Sequence, residues 1–560
     1  MSPAGGVEAF LGLPHTKEIN LVSVIIRTII LFKVNGMKIQ AVPLLLFLQL
    51  SRHANGCPAL CQCFLGSKVV CTEEGMTTLP RNLSSHVREL LVVSSGLRSV
   101  APLAFRGAGQ LTKVALISSP LTAVSPAAFA GLPLLEELDI SGHYNLEALE
   151  MGTLDQLGNL TSLLLNNNHL SKLESGLFDS LEKLEGLELR GNVLRWLPSV
   201  LFQHLHNLRR LDLSMNIISS MDEDLLNNLT SLRSLKLSHN LISVFPPRTF
   251  RRASQLKELS LQGNIISELH PGLFTHLTSL EELNLRGNKL MSVRAVVFPP
   301  SLRELDLQGN QLVQLALGTL PELTRLVLAQ NRLLDLPEDL LKNLTALEHV
   351  DLSENRLRSL PGGLFSGLSR ILSVHLNLNN LSSLDADLFR DQESLERLYL
   401  SENRLQTIPH GLFEGFHRTQ SVMRLRGNPW NCDCGMLYLY GWLESGRTAV
   451  EDLSHVSCEG PAALSGQNLV HLERDQLVCP TSYMGRPSPA PAVPRTSNST
   501  RSRCVLQESG GMLSISCTVP DCSQSQLRLE ASVLGQDGRT TSYVLNKGAD
   551  CVNATVTLTV

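Results

Sequence analysis

The chain's twelve cysteines carry its most direct chemistry, and they stand in three groups of four. Cys57, Cys61, Cys63 and Cys71 make C-x3-C-x-C-x7-C, and Cys432, Cys434, Cys458 and Cys479 make C-x-C-x23-C-x20-C. The third group, Cys504, Cys517, Cys522 and Cys551, lies near the end. Cysteines so grouped either bind zinc as thiolates or pair as disulfides. The start of the chain favours disulfides. Met37-Lys38 opens an apolar run from Ala41 to Leu50, then polar residues lead to Gly56. That is the pattern of a signal peptide over 37–56, too short for a membrane span, and it implies an oxidising compartment. Residues 1–36 form an upstream segment outside this scheme, and Met37 reads as the start. Seven N-x-S/T sequons, at Asn82, Asn159, Asn228, Asn343, Asn380, Asn498 and Asn553, suit the same compartment as glycosylation sites.

Chemistry of other kinds is sparse. The sequence holds no G-x-S-x-G, no H-E-x-x-H and no glycine-rich phosphate loop, so no enzyme and no cofactor is expected. His204 and His206 make an H-x-H pair that reads as surface histidines rather than metal ligands. Forty-eight Lys and Arg against 52 Asp and Glu give a formal charge of −4, which leaves no basic excess for nucleic acid. No run beyond the leader is long and apolar enough for a membrane anchor.

The elements that must position these residues show in a 24-residue beat. Asn168, Asn192, Asn216, Asn240, Asn264 and Asn288 keep it, Asn310 and Asn331 mark two shortened units, and Asn355, Asn379 and Asn403 resume it. Each Asn closes L-x-x-L-x-L-x-x-N-x-L, as in Leu232, Leu235, Leu237, Asn240 and Ile242. This is the leucine-rich repeat signature. Ser95 and Ser119 replace Asn at the first two units, and a third is irregular at Gly142-His143-Tyr144-Asn145. The expected fold is an α/β-type solenoid, a curved parallel β-sheet horseshoe with disulfide caps at both ends and a small C-terminal β-rich module. Leucines of each short strand point inward. The Asn amide, a donor and an acceptor at once, bonds turn backbone that neighbouring strands cannot pair. Ten residues past most of these positions stands a Phe (Phe105, Phe129, Phe178, Phe202, Phe250, Phe274, Phe298, Phe365, Phe389, Phe413), a second spine of the core. The expected organisation is a cysteine cap at 57–86, about fourteen repeats over 87–426, a second cap at 427–480, a Pro/Ser-rich linker at 481–503, and a disulfide-stapled β-rich module at 504–560. Three pairings of the last four cysteines remain open.

Residues between the inward leucines face outward from the sheet, because alternate side chains on a strand point opposite ways. Glu258, Glu282 and Glu304 stand six before their Asn on successive units, and Asp306 and Asp351 stand four before theirs. Arg209, Arg210 and Arg233, with Arg190 and Lys236, make a basic group beside them. The plain reading is a solvated face whose charges pair internally, with Lys257, Arg286 and Arg303 as candidate partners for the acids. The sharper one is a docking face for a protein of complementary charge.

The second cap carries a resemblance. Gly427-Asn428-Pro429-Trp430-Asn431-Cys432-Asp433-Cys434, then Trp442-Leu443, Cys458, Gly460-Pro461-Ala462 and Gln476-Leu477-Val478-Cys479-Pro480, resembles the carboxypeptidase N regulatory subunits. The four-cysteine tail is similar as well, while the two shortened units depart from that family. The resemblance implies disulfides Cys57–Cys63, Cys61–Cys71, Cys432–Cys458 and Cys434–Cys479. It further implies a secreted, glycosylated plasma subunit without an active site. Such a subunit carries the catalytic chain of a zinc carboxypeptidase that trims C-terminal Arg or Lys from peptides. The alternative is a free-standing secreted adhesion or pattern-recognition protein binding matrix or microbial ligands.

Overall fold

The computed structural model describes residues 57–479, except 65–66, 82, 295–297, 415–420 and 445–448, and the backbone of five strands between 503 and 559. The expected leader and upstream segment, the linker, and the sequons Asn82, Asn498 and Asn553 lie outside the described residues. The chain divides into two units, Met1–Pro480 and Thr481–Val560.

The first unit is a parallel solenoid built on one 18-stranded sheet. A hairpin, Cys61–Phe64 against Lys68–Cys71, starts it, and its second strand pairs in parallel with the first coil strand, Glu89–Val93. Every later coil adds one strand in register, through Ser234–Lys236, Glu258–Ser260, Glu282–Asn284 and Glu304–Asp306, to Val422–Arg424 and Ala449–Val450. The first three coil strands have five residues each, and those that follow have three, up to the closing two-residue strand Ala449–Val450. Period-2 alternation explains the faces: in Glu258-Leu259-Ser260 the leucine is 1% exposed while its neighbours are partly open. Among the described residues no helix occurs in the coils. Their return segments are tight turns, and the Phe residues stack beneath them, with ring centroids 5.5 Å apart for Phe105–Phe129, 5.8 Å for Phe250–Phe274 and 5.4 Å for Phe365–Phe389. Leu226, Leu320 and Leu341 fill the same slot in other coils and are buried.

The ladder works through three bonds per amide. Asn264 Nδ2 donates to the carbonyls of Leu237 and Leu261, both at 3.0 Å, and its Oδ1 accepts from the Ile242 N–H at 3.1 Å. Two of these partners belong to the preceding coil, so each Asn holds its neighbour as well as its own turn. The shortened coils keep the pattern, with Asn310 Oδ1 3.1 Å from Leu290 N and Asn331 Oδ1 3.0 Å from Leu312 N. Ladder geometry also sets the residue before it. From Ser94 to Gly427, fifteen residues in that place have φ between 51° and 79°. Six are glycines. At Gly191 and Gly263 an added Cβ would also stand 2.3 Å from Asn167 Oδ1 and 2.5 Å from His239 Nδ1. The other nine, Leu378 among them, hold a left-handed conformation that L-residues avoid.

The ends differ from the coils between them. Cys57–Cys63 and Cys61–Cys71 link the entry hairpin, and Cys432–Cys458 and Cys434–Cys479 link the far cap. Trp430 is fully buried there and donates from Nε1 to the Leu425 carbonyl at 3.2 Å. The helix Leu437–Glu444 lays Tyr438 and Trp442 against Phe413, closing the Phe spine. In the second unit, Arg503–Ser509, Met512–Thr518 and Ala554–Thr559 form an antiparallel sheet and Leu527–Leu534 pairs with Thr540–Lys547. Cys504 is registered opposite Cys517.

Candidate interaction faces

The third coil, irregular in sequence, is regular in space. His143 takes the ladder position there and is fully buried. Its Nε2 lies 2.9 Å from the Leu116 carbonyl, its Nδ1 lies 2.8 Å from the Ser119 carbonyl, and the Ser119 N–H also approaches Nδ1 at 3.2 Å. The imidazole thus spans to the preceding coil as an Asn amide would. Burial holds its pKa below the ordinary histidine value, against the pull of the two carbonyls. Ser95 and Ser119 bridge the earlier coils by a 3.0 Å hydroxyl contact. At the other end, Asn428 continues the ladder, and Asp452 finishes it by accepting from the Leu425 and Arg426 N–H groups at 3.0 and 3.1 Å. Sequence reasoning missed His143 and Asp452 because neither is an amide. The 24-residue offset from Ser119 was the available signal for His143.

The open face of the sheet carries the charges. Glu258, Glu282 and Glu304 are registered side by side on three adjacent strands. Their outer members have cationic neighbours: Lys236 Nζ is 3.4 Å from Glu258, and Arg325 is registered beside Glu304. Glu282, between them, has none in register. Burial, then the charges of Glu304 and Glu258, push its carboxyl above its ordinary value. Lys257 and Arg303 turn elsewhere, to Glu281 at 2.6 and 3.9 Å, and the hydrogen bond from Lys257 holds the Glu281 carboxyl low. A depression of about 160 Å³ lies over this column, lined by Ser260, Asn284 and Asp306 as well as the three glutamates.

Asp306 and Asp351 are not neighbours, because Val327 stands between their strands. Burial raises the Asp306 carboxyl despite the Gln308 N–H it accepts. At Asp351 burial also acts upward, but hydrogen bonds from His375 and Ser353 outweigh it and lower the pKa. The basic group divides too. Arg210 is on the sheet face, whereas Arg209 and Arg233 precede their strands on its rim, where Arg209 pairs with Glu185 at 3.0 Å.

Toward the second cap the face becomes aromatic and cationic. His375 and Tyr399 stack with centroids 4.4 Å apart, and the Arg424 guanidinium lies 4.3 Å over the other ring position of that column, Tyr399. Arg424 also bonds Glu451 at 2.7 Å. Asp351, His375 and Ser373 make an acid–imidazole–hydroxyl chain, at 3.5 and 3.0 Å. Its serine is 4% exposed and receives a 3.4 Å contact from Arg397 Nε, and strand pairing leaves no free N–H pair beside it to stabilise an oxyanion. The arrangement orders a surface rather than building a nucleophile.

Elsewhere, His204 lies 3.8 Å from Asp179, and His206 meets the Asn228 carbonyl at 3.2 Å. Among the described residues no group of three or more His, Cys, Asp or Glu could hold a metal ion, and no helix is long and apolar enough to cross a membrane. Asn159, Asn228 and Asn343 are exposed on the turn side, and Asn380 is half-buried directly after a ladder residue.

The family model described as Leucine rich repeat matches residues 85–146, 158–218, 206–266, 254–312, 321–377 and 369–429, together more than half of the chain. Carboxypeptidase N subunit 2 of Mus musculus is 33% identical over 120 residues, 20% of this chain and 22% of that protein. The Homo sapiens protein of that name is 35% identical over 118 residues, 19% of this chain and 22% of that protein. The match spans about a fifth of the length of these curated relatives. Among solved structures, a leucine-rich repeat protein of Leptospira interrogans superposes with a TM-score of 0.58 at 26% identity, over 68% of this chain and 94% of that one. The TLR13–ssRNA13 complex gives 0.63 at 25% identity, over 71% and 59%. Fifteen buried ladder positions, one shared sheet and a model match over most coils make this chain a member of the leucine-rich repeat family, related to carboxypeptidase N subunit 2.

Proposed function

We propose that the protein is a secreted, glycosylated binding subunit without catalysis of its own, which carries and stabilises a circulating zinc carboxypeptidase acting on C-terminal Arg or Lys. The kinship with carboxypeptidase N subunit 2 is the observation that carries this reading. The physical character of the sheet face supports it. It carries acidic and basic groups on adjacent strands, and so offers charge complementarity to a partner. The glutamate column, with Glu282 short of a cation, suits a Lys or Arg side chain of the partner.

Co-expression of the tagged full chain with the catalytic chain of a zinc carboxypeptidase tests the proposal. The two should co-elute on size exclusion, hydrolysis of C-terminal Arg and Lys peptides should track the second chain, and chelation should abolish it. Hydrolysis by this chain alone, or elution of the two as separate species, would overturn the reading.

A further inference from the structure

The two shortened coils and their neighbours build a second surface, on the flank just past the ladder. There the chain runs extended, so residues one and three past each Asn point outward while the one between is buried. Lys289, Gln311, Arg332 and Arg356 occupy the first column, and Met291, Val313, Leu334 and Arg358 the second. Backbone bonds hold the coils in step: Gln311 N to Leu290 O is 2.9 Å, Val313 N to Met291 O 3.0 Å, and Arg332 N to Leu312 O 3.0 Å. Met291, Val313 and Leu334 are 60%, 51% and 44% exposed, a contiguous apolar row on three successive coils. Beside it, Lys289, Arg332, Arg356 and Arg358 have no ion-pair partner among the described residues. Of the acids nearby in sequence, Asp335 lines the adjoining groove and Glu354 is engaged by Gln330 Nε2 at 3.0 Å. A groove of about 900 Å³ adjoins the row, floored by Leu315, Ala316 and Leu336.

Two features separate this flank from an ordinary solvated edge. A cation and a large apolar side chain stand two residues apart, roughly 6.6 Å, at Lys289/Met291 and Arg332/Leu334, in columns that repeat every ~4.8 Å. Moreover, no N-x-S/T sequon occurs between Asn228 and Asn343, so the coils of Met291, Val313 and Leu334 carry no N-glycan site, and the next site in the first column is Asn380, one coil past Arg356. We infer that this flank is a protein-docking surface whose occupant is an extended partner segment alternating acidic and apolar side chains. Its carboxylates meet Lys289, Arg332 and Arg356, and its apolar residues lie on Met291, Val313 and Leu334. An apolar row left open to water on a monomer is itself a mark of an interaction site. Charge alone would suit any polyanion, but the apolar row selects a peptide. The inference does not depend on the identity of the partner proposed above.

The test uses the secreted full-length chain and a fluorescent alternating Glu-Leu octapeptide, read by anisotropy. Glu-Ser and Lys-Leu octapeptides, heparin and anionic phospholipid vesicles serve as comparisons. The Glu-Leu peptide should bind, and the other four should bind at least about tenfold more weakly, a difference of about 1.4 kcal/mol. Arg332→Glu with Arg356→Glu, and separately Val313→Asp with Leu334→Asp, should each weaken the Glu-Leu peptide about tenfold or more with an unchanged melting temperature. Should an aspartate pair lower the melting temperature, Val313→Thr with Leu334→Ser replaces it. Equal binding of the Glu-Ser peptide or heparin, binding to vesicles that the same variants abolish, or indifference of the Glu-Leu peptide to both variant pairs would each overturn the inference.

Discussion

At the residue scale, two titratable groups near the start of the array act on stability in opposite directions. The His143 pKa is depressed, so its neutral ring contributes stability that is present above about 6.5, the ordinary value, and lost as pH falls below it. Asp139 is the reverse case. Burial, opposed by a hydrogen bond from Ser141 and aided by Glu137, raises its pKa to about 6. Its ionised form therefore costs stability at neutral pH, a cost relieved as pH falls through about 6 toward 3.8. His143→Asn, which restores the amide of the other coils, should flatten the fall in melting temperature between pH 7 and 5. Asp139→Asn should stabilise the protein at pH 7 by about 1 kcal/mol, solvent screening having reduced the full effect of the shift. Thermal melts at both pH values check each expectation, and an unaltered acid limb in His143→Asn would contradict the first. Leu378, exposed and held at φ 57°, gives a third case. Leu378→Gly should raise stability by about 1 kcal/mol by relieving its backbone.

At the element scale, the ladder amide is the unit whose loss matters most. Asn264→Ala would strand the buried Ile242 N–H and leave the Leu237 and Leu261 carbonyls with one amide donor each, from Asn240 and Asn288. One orphaned N–H at ~1–3 kcal/mol and two lost carbonyl bonds at about 0.5–1 kcal/mol each point to a loss of about 3 kcal/mol. Urea denaturation would measure it, and a change under 1 kcal/mol (about the worth of one ordinary hydrogen bond) would remove the amide from its central place. The ladder from Asn168 to Asn403 was legible because leucine periodicity and asparagine coincide. His143 and Asp452 were not, since their role is defined by acceptor and donor positions in space, not by residue type. The faces were only partly legible. Period-2 alternation places Glu258, Glu282 and Glu304 together, yet separating Arg210 from Arg209 and Arg233 needs to know where each strand starts. Of the cations expected to offset the glutamates, Lys257 and Arg303 bind Glu281 instead, one residue away on the rim, and Arg286 acts on Asp306.

For the molecule as a whole, the caps and the coils do different work. The coils share one core, so its two ends would stand open to water without the disulfide-linked hairpin and the Trp430 cap. The Phe spine that joins them was readable from a fixed ten-residue offset. The flank past the ladder was not, because no single coil announces it and only stacking turns isolated Met, Val and Leu residues into a row. Glycan occupancy belongs at this scale too. On the proposed reading, removal of N-glycans from protein expressed in a secretory host should lower its mass in steps traceable to Asn159, Asn228, Asn343 and Asn380, checked by intact mass spectrometry with single Asn→Gln variants.

The constancy of the ladder bonds through coils of unequal length has a practical corollary. Asn310 and Asn331 reach back 20 and 19 residues to the N–H they accept, where Asn264 reaches 22, and all three distances stay between 3.0 and 3.1 Å. Coil length is thus a free variable outside the strand and its amide, and whole coils are interchangeable parts. Excising residues 241–264 should splice like atoms to like and give a folded, cooperatively melting protein one storey shorter, whereas excising residues 241–252 should not.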